Sequence, residues 1–212
     1  MVEELLAGHG RFRAEYVGDE RAFLKRLAHE GQRPTTLLIG CSDSRVIPEL
    51  LTDAAPGELF VVRNVTNLVP AHEHGDASVG AAIEYAVKHL RVGEIVVCGH
   101  DACGGVTAVL DDLRGISSDS DLAAWLGGIR PAVERARKAE AAPRARLRRA
   151  VEENVLEGVT NLMTYPNVAR AVAADQLRLH GWVYDLRQVT LRTYDAELDR
   201  FVSVSRPRAS DR

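Results

Sequence analysis

Two short segments of the sequence combine residue types that bind metals with residue types that hold protons. They are residues 41–45 (CSDSR) and residues 100–103 (HDAC). Cys41, His100 and Cys103 supply two thiolates and one imidazole, which are preferred ligands of zinc. Three protein ligands leave the fourth position of a tetrahedral ion open, which is typical of a catalytic rather than a structural zinc site.

Asp43 and Arg45 follow the first predicted ligand within the same segment. Alone, they could be a helix cap and an ordinary surface charge. Beside a metal they favour a functional interpretation, because an arginine guanidinium keeps a carboxylate ionised and oriented. Such a carboxylate can accept a hydrogen bond from zinc-bound hydroxide. If the pair broke, Asp43 could itself bind zinc and close the open position.

Two other groups of possible ligands compete with this set. Cys98 lies two residues before His100, but it ends the apolar run Ile95–Cys98, where a free cysteine behaves as a small buried hydrophobe. The segment His72-Glu73-His74 also has the spacing of metal ligands, but no further ligand elsewhere in the chain is evident to complete a site. The segment is also polar. We interpret Cys98 as a core residue and residues 72–74 as surface.

The elements that must position these residues can be read from the hydrophobic pattern. Continuous β-branched and apolar runs predict strands at 35–40, 58–63 and 94–98, and two later strands at 177–186 and 189–194 resemble a hairpin. Helical patterns are predicted over the following stretches: 3–15, 18–30, Asp76 or Ser78 to Leu90, 104–113, 119–128, 148–163 and 166–176.

Strand, helix and strand at these lengths imply right-handed crossovers and a parallel sheet. We therefore predict a single-domain α/β fold with a mostly parallel central sheet flanked by helices, a C-terminal hairpin-like strand and an N-terminal helical arm. Ligands of such sheets bind beyond the carboxyl ends of the strands. The two metal-binding segments follow two of these ends, so adjacent strands would bring them together.

Composition narrows the function classes. The 212 residues are 46% hydrophobic and 27% charged, with a net charge of -3, which excludes intrinsic disorder and gives no strong field for nucleic acid or an anionic membrane. Residues 130–149 hold seven arginines and one lysine against two glutamates. This segment has no aromatic residue to stack on bases, so we favour a solvated or subunit-facing helical surface over a nucleic-acid site.

The sequence also favours one compartment. The first residues are acidic where a leader would be basic, and no apolar run approaches the ~20 residues that span a bilayer. Three cysteines are an odd number and do not suggest a disulfide framework. We expect a cytoplasmic protein with reduced thiols and without a membrane partner.

These residues resemble the beta-class carbonic anhydrases, and residues 44–48 (SRVIP) and 68–70 (LVP) look closer to the plant-like subgroup, which keeps an open zinc position. The resemblance is carried by Cys41-x-Asp43-x-Arg45 and by His100-x-x-Cys103 followed by two glycines. Further segments of the family pattern lie at 56–64, 67–70, 82–87 and 161–162, so the resemblance covers about residues 30–190.

The resemblance implies a zinc enzyme that hydrates carbon dioxide reversibly to bicarbonate and a proton, by attack of zinc-bound hydroxide. Cys41, His100 and Cys103 would be the ligands, and Asp43 and Arg45 the catalytic dyad.

The resemblance also implies a chain organisation and self-association as a dimer or tetramer. Residues 1–30 would form the helical arm that embraces the partner, residues 31–205 the catalytic domain and residues 206–212 a frayed tail.

The same resemblance implies a narrow, mostly apolar substrate pocket. Its members would be Phe60, Val65, Tyr85, the backbone N–H of Gly104, and Gln32, which would reach the active site of the neighbouring subunit. Each of these could instead serve core packing. The pocket would suit carbon dioxide, which is small, uncharged and linear.

One position differs from the pattern of another subgroup of the family. Members of that subgroup are inhibited by bicarbonate, which binds at a second site built from Trp, Arg and Tyr. The matching positions here are Leu38, Arg63 and Tyr184, so the Trp is missing. We therefore predict an open zinc position at neutral pH rather than Asp43 on the metal. Because two thiolates make zinc a weaker Lewis acid than three imidazoles do, we predict activity that climbs with pH through about 7 to 9.

Two alternatives stay open from the residues alone. One is a hydrolase of a carbon dioxide analogue such as carbon disulfide, and the other is a zinc-binding sensor or scaffold without chemistry. The proton acceptor is also open among buffer, His29 and the surface histidines.

Overall fold

A single six-stranded sheet forms the centre of the computed structural model, which describes the backbone of residues 1–204 and the side chains of residues 1–17 and 20–204. The strands are β1 (Thr36–Cys41), β2 (Leu59–Asn64), β3 (Glu94–His100), β4 (Arg178–Asp185), β5 (Thr190–Asp195) and β6 (Arg200–Ser203). Their order in space is β2-β1-β3-β4-β5-β6. The predicted tail at 206–212 lies outside the described residues.

The sheet confirms the predicted α/β fold. β2, β1, β3 and β4 pair in parallel, whereas β5 and β6 are antiparallel to their neighbours. The predicted hairpin of β4 and β5 is present, but a third strand extends it. β6 has only four residues, which is too short for its alternation to stand out in the sequence.

Within the described part of the chain, seven α-helices lie between the strands in sequence, and two more precede β1. They are α1 (Val2–Arg11), α2 (Val17–Glu30), α3 (Pro48–Thr52), α4 (Ala77–Glu84), α5 (Gly104–Leu110), α6 (Asp121–Leu126), α7 (Arg130–Ala139), α8 (Pro143–Leu162) and α9 (Pro166–Ala173). Phe12–Tyr16 and Tyr85–Leu90 are π-helical. Across residues 1–204, no helix is both long and apolar enough to cross a membrane.

Local chemistry explains several helix starts. Asp76 is the N-cap of α4, since its Oδ1 accepts a hydrogen bond from Val79 N–H at 2.9 Å. α8 begins at Pro143, earlier than the predicted residue 148, because proline is well suited to the first turn of a helix. The five-residue helix α3 was not predicted, and it also begins with proline.

The main core lies on one face of the sheet, and α8 packs there. A Cβ added at Gly99 of β3 would lie 2.7 Å from Val155, and one at Gly181 of β4 would lie 3.0 Å from the same residue. Glycine at both positions therefore lets α8 approach the strands closely. The opposite face carries a smaller cluster of Leu38, Val96 and Cys98 with Trp182 packed against it.

Candidate metal centre

Three potential metal ligands converge where β1 and β3 end. Cys41 is the last residue of β1, His100 is the last residue of β3, and Cys103 immediately precedes α5. β1 and β3 are parallel neighbours, so their carboxyl ends share one edge. The two thiol sulfurs and an imidazole nitrogen lie within 4.8 Å of one another, and all three residues are buried.

The imidazole of His100 is oriented for metal binding. Its Nδ1 lies 2.8 Å from the main-chain carbonyl of Asp101. A carbonyl only accepts hydrogen bonds, so Nδ1 carries the proton and Nε2 keeps a free lone pair. Nε2 is buried and has no hydrogen-bond partner within residues 1–204. A buried acceptor without a donor is costly unless a cation binds it, so the donor set fits a metal ion.

The two thiols lie close enough to affect each other's ionisation. A hydrogen bond from the Cys103 thiol lowers the pKa of Cys41, and His100 contributes in the same direction against the effect of burial. Donating that hydrogen bond, together with burial, raises the pKa of Cys103. The surroundings of Cys41 therefore favour its thiolate, which is the form of cysteine that binds metal.

Cys98 does not belong to this group. It pairs with Gly40 in the sheet, and its side chain lies in the small cluster on the face opposite the main core, whereas Cys41 and Cys103 lie in the main core. Burial raises the pKa of Cys98 to about 12, so its thiol stays protonated.

Asp43 and Arg45 form a two-pronged ion pair at the edge of the site. Arg45 Nε donates to Asp43 Oδ1 at 2.8 Å, and Arg45 Nη2 donates to Oδ2 at 2.7 Å. These bonds hold the pKa of Asp43 well below its usual range. Oδ2 of Asp43 lies 3.9 Å from Nε2 of His100, so an ionised carboxylate faces the position that the metal ligands surround.

Arg63 positions the backbone of the first site loop. From the sequence, Arg63 is matched only to the second, bicarbonate-binding site of another subgroup. Its Nε donates to the carbonyl of Cys41 at 3.0 Å, and its Nη2 donates to the carbonyl of Asp43 at 2.7 Å. Arg63 thus fixes the backbone on both sides of Ser42. Leu38, matched to the same second site, is buried beneath Trp182, and Tyr184 pairs with His100 in the sheet.

The turn that follows β2 supports the loop of Cys103. Thr66 and Asn67 have left-handed φ angles of 69° and 47°, which are rare for a β-branched residue such as Thr66. A Cβ added at Gly105 would overlap Thr66 Cγ2, so only glycine allows this approach. Asn154 Nδ2 donates to the carbonyl of Thr66 at 2.8 Å. No local sequence signal pointed to this contact, which joins residues far apart in the chain.

The predicted pocket residues are only partly brought together in one chain. The rings of Phe60 and Tyr85 lie 5.8 Å apart, and Val65 Cγ1 lies 3.3 Å from a Cβ built at Gly105. Gly104 and Gln32 are exposed, and Gln32 lies in the irregular segment between α2 and β1.

His89, which the sequence analysis did not single out, lies beside the predicted pocket. It is exposed, and its ring lies 5.3 Å from the ring of Tyr85.

The remaining candidate segments lie elsewhere on the surface. Residues 72–74 form a 3₁₀ turn, in which the side chains of Glu73 and His74 are exposed, while His72 packs edge-on against Tyr165. The basic segment 130–149 falls on α7 and α8. Several of its arginines pair with glutamates: Arg135 with Glu153 and Glu157, Arg137 with Glu134, and Arg149 with Glu153.

Comparison with known proteins relates this arrangement to one family. The family model described as carbonic anhydrase matches residues 36–191. A carbonic anhydrase of Pseudomonas aeruginosa is 41% identical over 209 residues, which cover 96% of this chain and 92% of that protein. Carbonic anhydrase 1 of Escherichia coli O157:H7 is 37% identical over 212 residues, covering 96% and 93%.

Solved structures agree with these relatives. The beta-carbonic anhydrase CcaA has a TM-score of 0.88 and 34% identity, covering 97% of this chain and 92% of that one. One of two tetrameric beta-carbonic anhydrases from Sordaria macrospora has a TM-score of 0.83 and 30% identity, covering 96% and 98%.

Proposed function

The chain belongs to the beta class of the carbonic anhydrase family, and from this membership we propose how its own residues carry out the reversible hydration of carbon dioxide. The observation that carries the proposal is the convergence of Cys41, His100 and Cys103 within 4.8 Å, with Nε2 of His100 buried and unpartnered among residues 1–204. Neither the family model nor the relatives support a carbon disulfide hydrolase or a sensor without chemistry.

Cys41, His100 and Cys103 would hold zinc, because two thiolates and an imidazole match its preferred ligand chemistry. When bound, zinc would act as a Lewis acid that lowers the pKa of water and so provides a nucleophile near neutral pH. Asp101 supports the site through its carbonyl, which fixes the proton of His100 on Nδ1.

Asp43 would orient the nucleophile by accepting its hydrogen bond. Arg45 keeps the carboxylate ionised and turned toward His100. The intact pair supports our proposal that Asp43 stays off the metal at neutral pH, and Leu38 in the place of Trp supports membership of the plant-like subgroup. We also propose that activity climbs with pH through about 7 to 9, since two thiolates make the metal a weaker Lewis acid.

Phe60, Val65 and Tyr85 would exclude water around carbon dioxide, while the N–H of Gly104 and Gln32 of a neighbouring subunit would orient it. As acceptor of the released proton we propose the exposed imidazole of His89, whose ring lies 5.3 Å from the ring of Tyr85.

The enzyme would act as a dimer or tetramer in the cytoplasm. One structural relative is described as tetrameric. The free cysteines Cys41, Cys98 and Cys103 support a reducing compartment.

Stopped-flow hydration of carbon dioxide, with zinc quantified in the same sample, tests the proposal. Cys41→Ser should lose both zinc and turnover. Cys98→Ala is the matched control, because this buried thiol lies on the other face of the sheet, and it should keep both. A Cys41→Ser variant that retains one zinc per chain and full turnover would contradict the ligand assignment.

A further inference from the structure

A cavity adjoins the metal-binding loop on the side away from the Asp43–Arg45 pair. It has a volume of about 190 Å³ and reaches Asp101 and Ala102, the two residues between His100 and Cys103. Val183 and Asp185 of β4 also line it, whereas Tyr184 between them lines a different cavity together with Arg45. The function proposed above uses no residue of its lining except the carbonyl of Asp101.

Four arginine side chains line this small volume. Arg144 and Arg148 come from the first turns of α8, and Arg187 and Arg192 come from the β4–β5 hairpin. Arg148 and Arg192 share one carboxylate, that of Glu152.

The other two arginines have no such partner. Arg144 and Arg187 make no ion pair with any described side chain of residues 1–204. Both are exposed, so their guanidinium groups are available to a ligand in the cavity.

The acidic residues of the lining are already engaged with the backbone. Asp101 Oδ1 accepts a hydrogen bond from Leu186 N–H at 2.5 Å. Asp185 Oδ1 accepts hydrogen bonds from the N–H groups of Arg187 and Gln188, both at 2.9 Å. Four guanidinium groups therefore line the cavity against two lining carboxylates, those of Asp101 and Asp185, and the lining keeps an excess of positive charge even though Glu152 pairs with Arg148 and Arg192.

We propose that this cavity is a binding site for a small multivalent oxyanion of the size and charge of phosphate. Guanidinium groups bind such anions in a two-pronged way. The side chain of Arg192 is only 12% exposed, so its charge is less screened by water than a surface charge would be. The volume is below the several hundred Å³ that larger organic ligands occupy, which favours a compact anion.

The position of the cavity connects such an anion to the metal-binding loop. The carbonyl of Asp101 accepts the hydrogen bond of His100 Nδ1, and the carbonyl of Ala102 accepts one from Arg45 Nη2 at 3.4 Å. Ala102 has a φ angle of 52°, which alanine adopts reluctantly. An anion bound here would therefore stabilise a strained loop that carries two metal ligands.

Calorimetric titration with inorganic phosphate, at constant ionic strength and on the zinc-loaded enzyme, tests the proposal. The test variant is Arg144→Gln with Arg187→Gln. The matched control is Arg114→Gln with Arg170→Gln, which removes two exposed arginines outside the cavity. We expect the test variant to weaken phosphate binding at least tenfold and to lose the rise in melting temperature that phosphate gives the wild type. The control should keep both.

Equal phosphate binding in the wild type and both variants would overturn the proposal, since it would place the anion elsewhere, including on the metal. Absence of phosphate binding to the wild type would overturn it as well. Far-UV circular dichroism and zinc content should be unchanged in both variants. Either negative result would leave the carbonic anhydrase assignment intact, because that assignment is tested by turnover and zinc content.

Discussion

At the scale of single residues, the site depends on which polar atoms already have partners. Both carboxylate oxygens of Asp43 are held by Arg45, whereas Nε2 of His100 has no partner among the described residues. The first arrangement keeps an acceptor ionised and in place, and the second leaves a lone pair for a cation. The two residues would therefore serve separable roles in the proposed function, orientation and metal binding, which mutations can distinguish.

Replacing Asp43 by Ala should leave zinc bound and reduce hydration activity about 10²-fold or more, because a positioned proton acceptor contributes on that order. Zinc content and stopped-flow rates in the same preparation provide the measurement. Cys41→Ser, which should lose zinc, is the contrasting variant. Full turnover in Asp43→Ala would remove this carboxylate from the mechanism.

Replacing Arg45 by Gln should lower activity without changing the shape of its pH profile between about pH 7 and 9. The hydrogen bonds from Arg45 lower the pKa of Asp43, so their loss raises that pKa toward its ordinary value of about 4. Asp43 remains ionised throughout the interval, and only its orientation is lost. A new inflection above pH 7 in the variant would show that Arg45 sets a protonation equilibrium instead.

At the scale of elements, the site exists because two parallel strands end side by side and close contacts fix the loops beyond them. Gly105 at the start of α5 packs against Thr66 in the turn after β2, and Asn154 of α8 holds the carbonyl of that residue. Three elements therefore determine where Cys103 lies.

The variant Gly105→Ala should be destabilised by about 1–3 kcal/mol, because the added Cβ would overlap Thr66 and force a shift. It should also bind zinc less tightly, since Gly105 follows the ligand Cys103 by only two residues and a shift of one moves the other. Gly104→Ala is the stability control, because a Cβ at Gly104 meets no atom within 4 Å. Urea unfolding of both variants measures the difference, and equal midpoints would contradict the packing argument.

Glu94 links β3 to β4 at the end of the sheet opposite the metal ligands. Burial raises its pKa, but hydrogen bonds from Arg178 and His180 outweigh this effect and the net pKa is lowered. A lowered folded-state pKa stabilises the protein above the unfolded value of about 4.3, and the contribution is lost as pH falls through the folded-state value.

Glu94→Gln should therefore lower the melting temperature by about 2–4 °C at pH 7, as expected for a loss near 1 kcal/mol in a chain of this size. The difference from the wild type should shrink as the pH falls below about 4. Glu197→Gln, at an exposed glutamate in the β5–β6 turn, is the control and should track the wild type. A difference that stays constant down to about pH 3 would show that the ionised carboxylate is not the cause.

At the scale of the whole molecule, the N-terminal helices expose apolar surface that one chain does not cover. Leu5 and Leu6 of α1 are 75% and 67% exposed, and Phe12 and Tyr16 are nearly half exposed. Contiguous exposed apolar residues of this kind mark interaction surfaces. This supports the proposal that residues 1–30 are an arm that packs against a partner subunit.

Leu5→Glu combined with Leu6→Glu should reduce the molar mass measured by light scattering after gel filtration, because charges cannot be buried in an apolar interface without a large cost. Leu198→Glu changes a leucine that is 54% exposed in a turn between strands, and it should keep the wild-type mass. An unchanged mass for the α1 variant would place the subunit interface elsewhere.

The sequence by itself determined the strands that end at the site, the candidate ligand types at or just beyond their ends, and the fold class. These features depend on local patterns: runs of apolar residues for β1 and β3, and the residue types at 41–45 and 100–103. Only the tertiary structure decided that Cys98 faces away from Cys41, that Arg63 binds the backbone at Cys41 and Asp43, and that β6 extends the hairpin.

The orientation of Cys98, the contacts of Arg63 and the pairing of β6 have one physical cause in common. They are set by sheet register and by contacts between residues distant in sequence, such as Asn154 with Thr66. The free energy of such contacts depends on how the helices and strands pack, and not on the neighbouring residues in the chain.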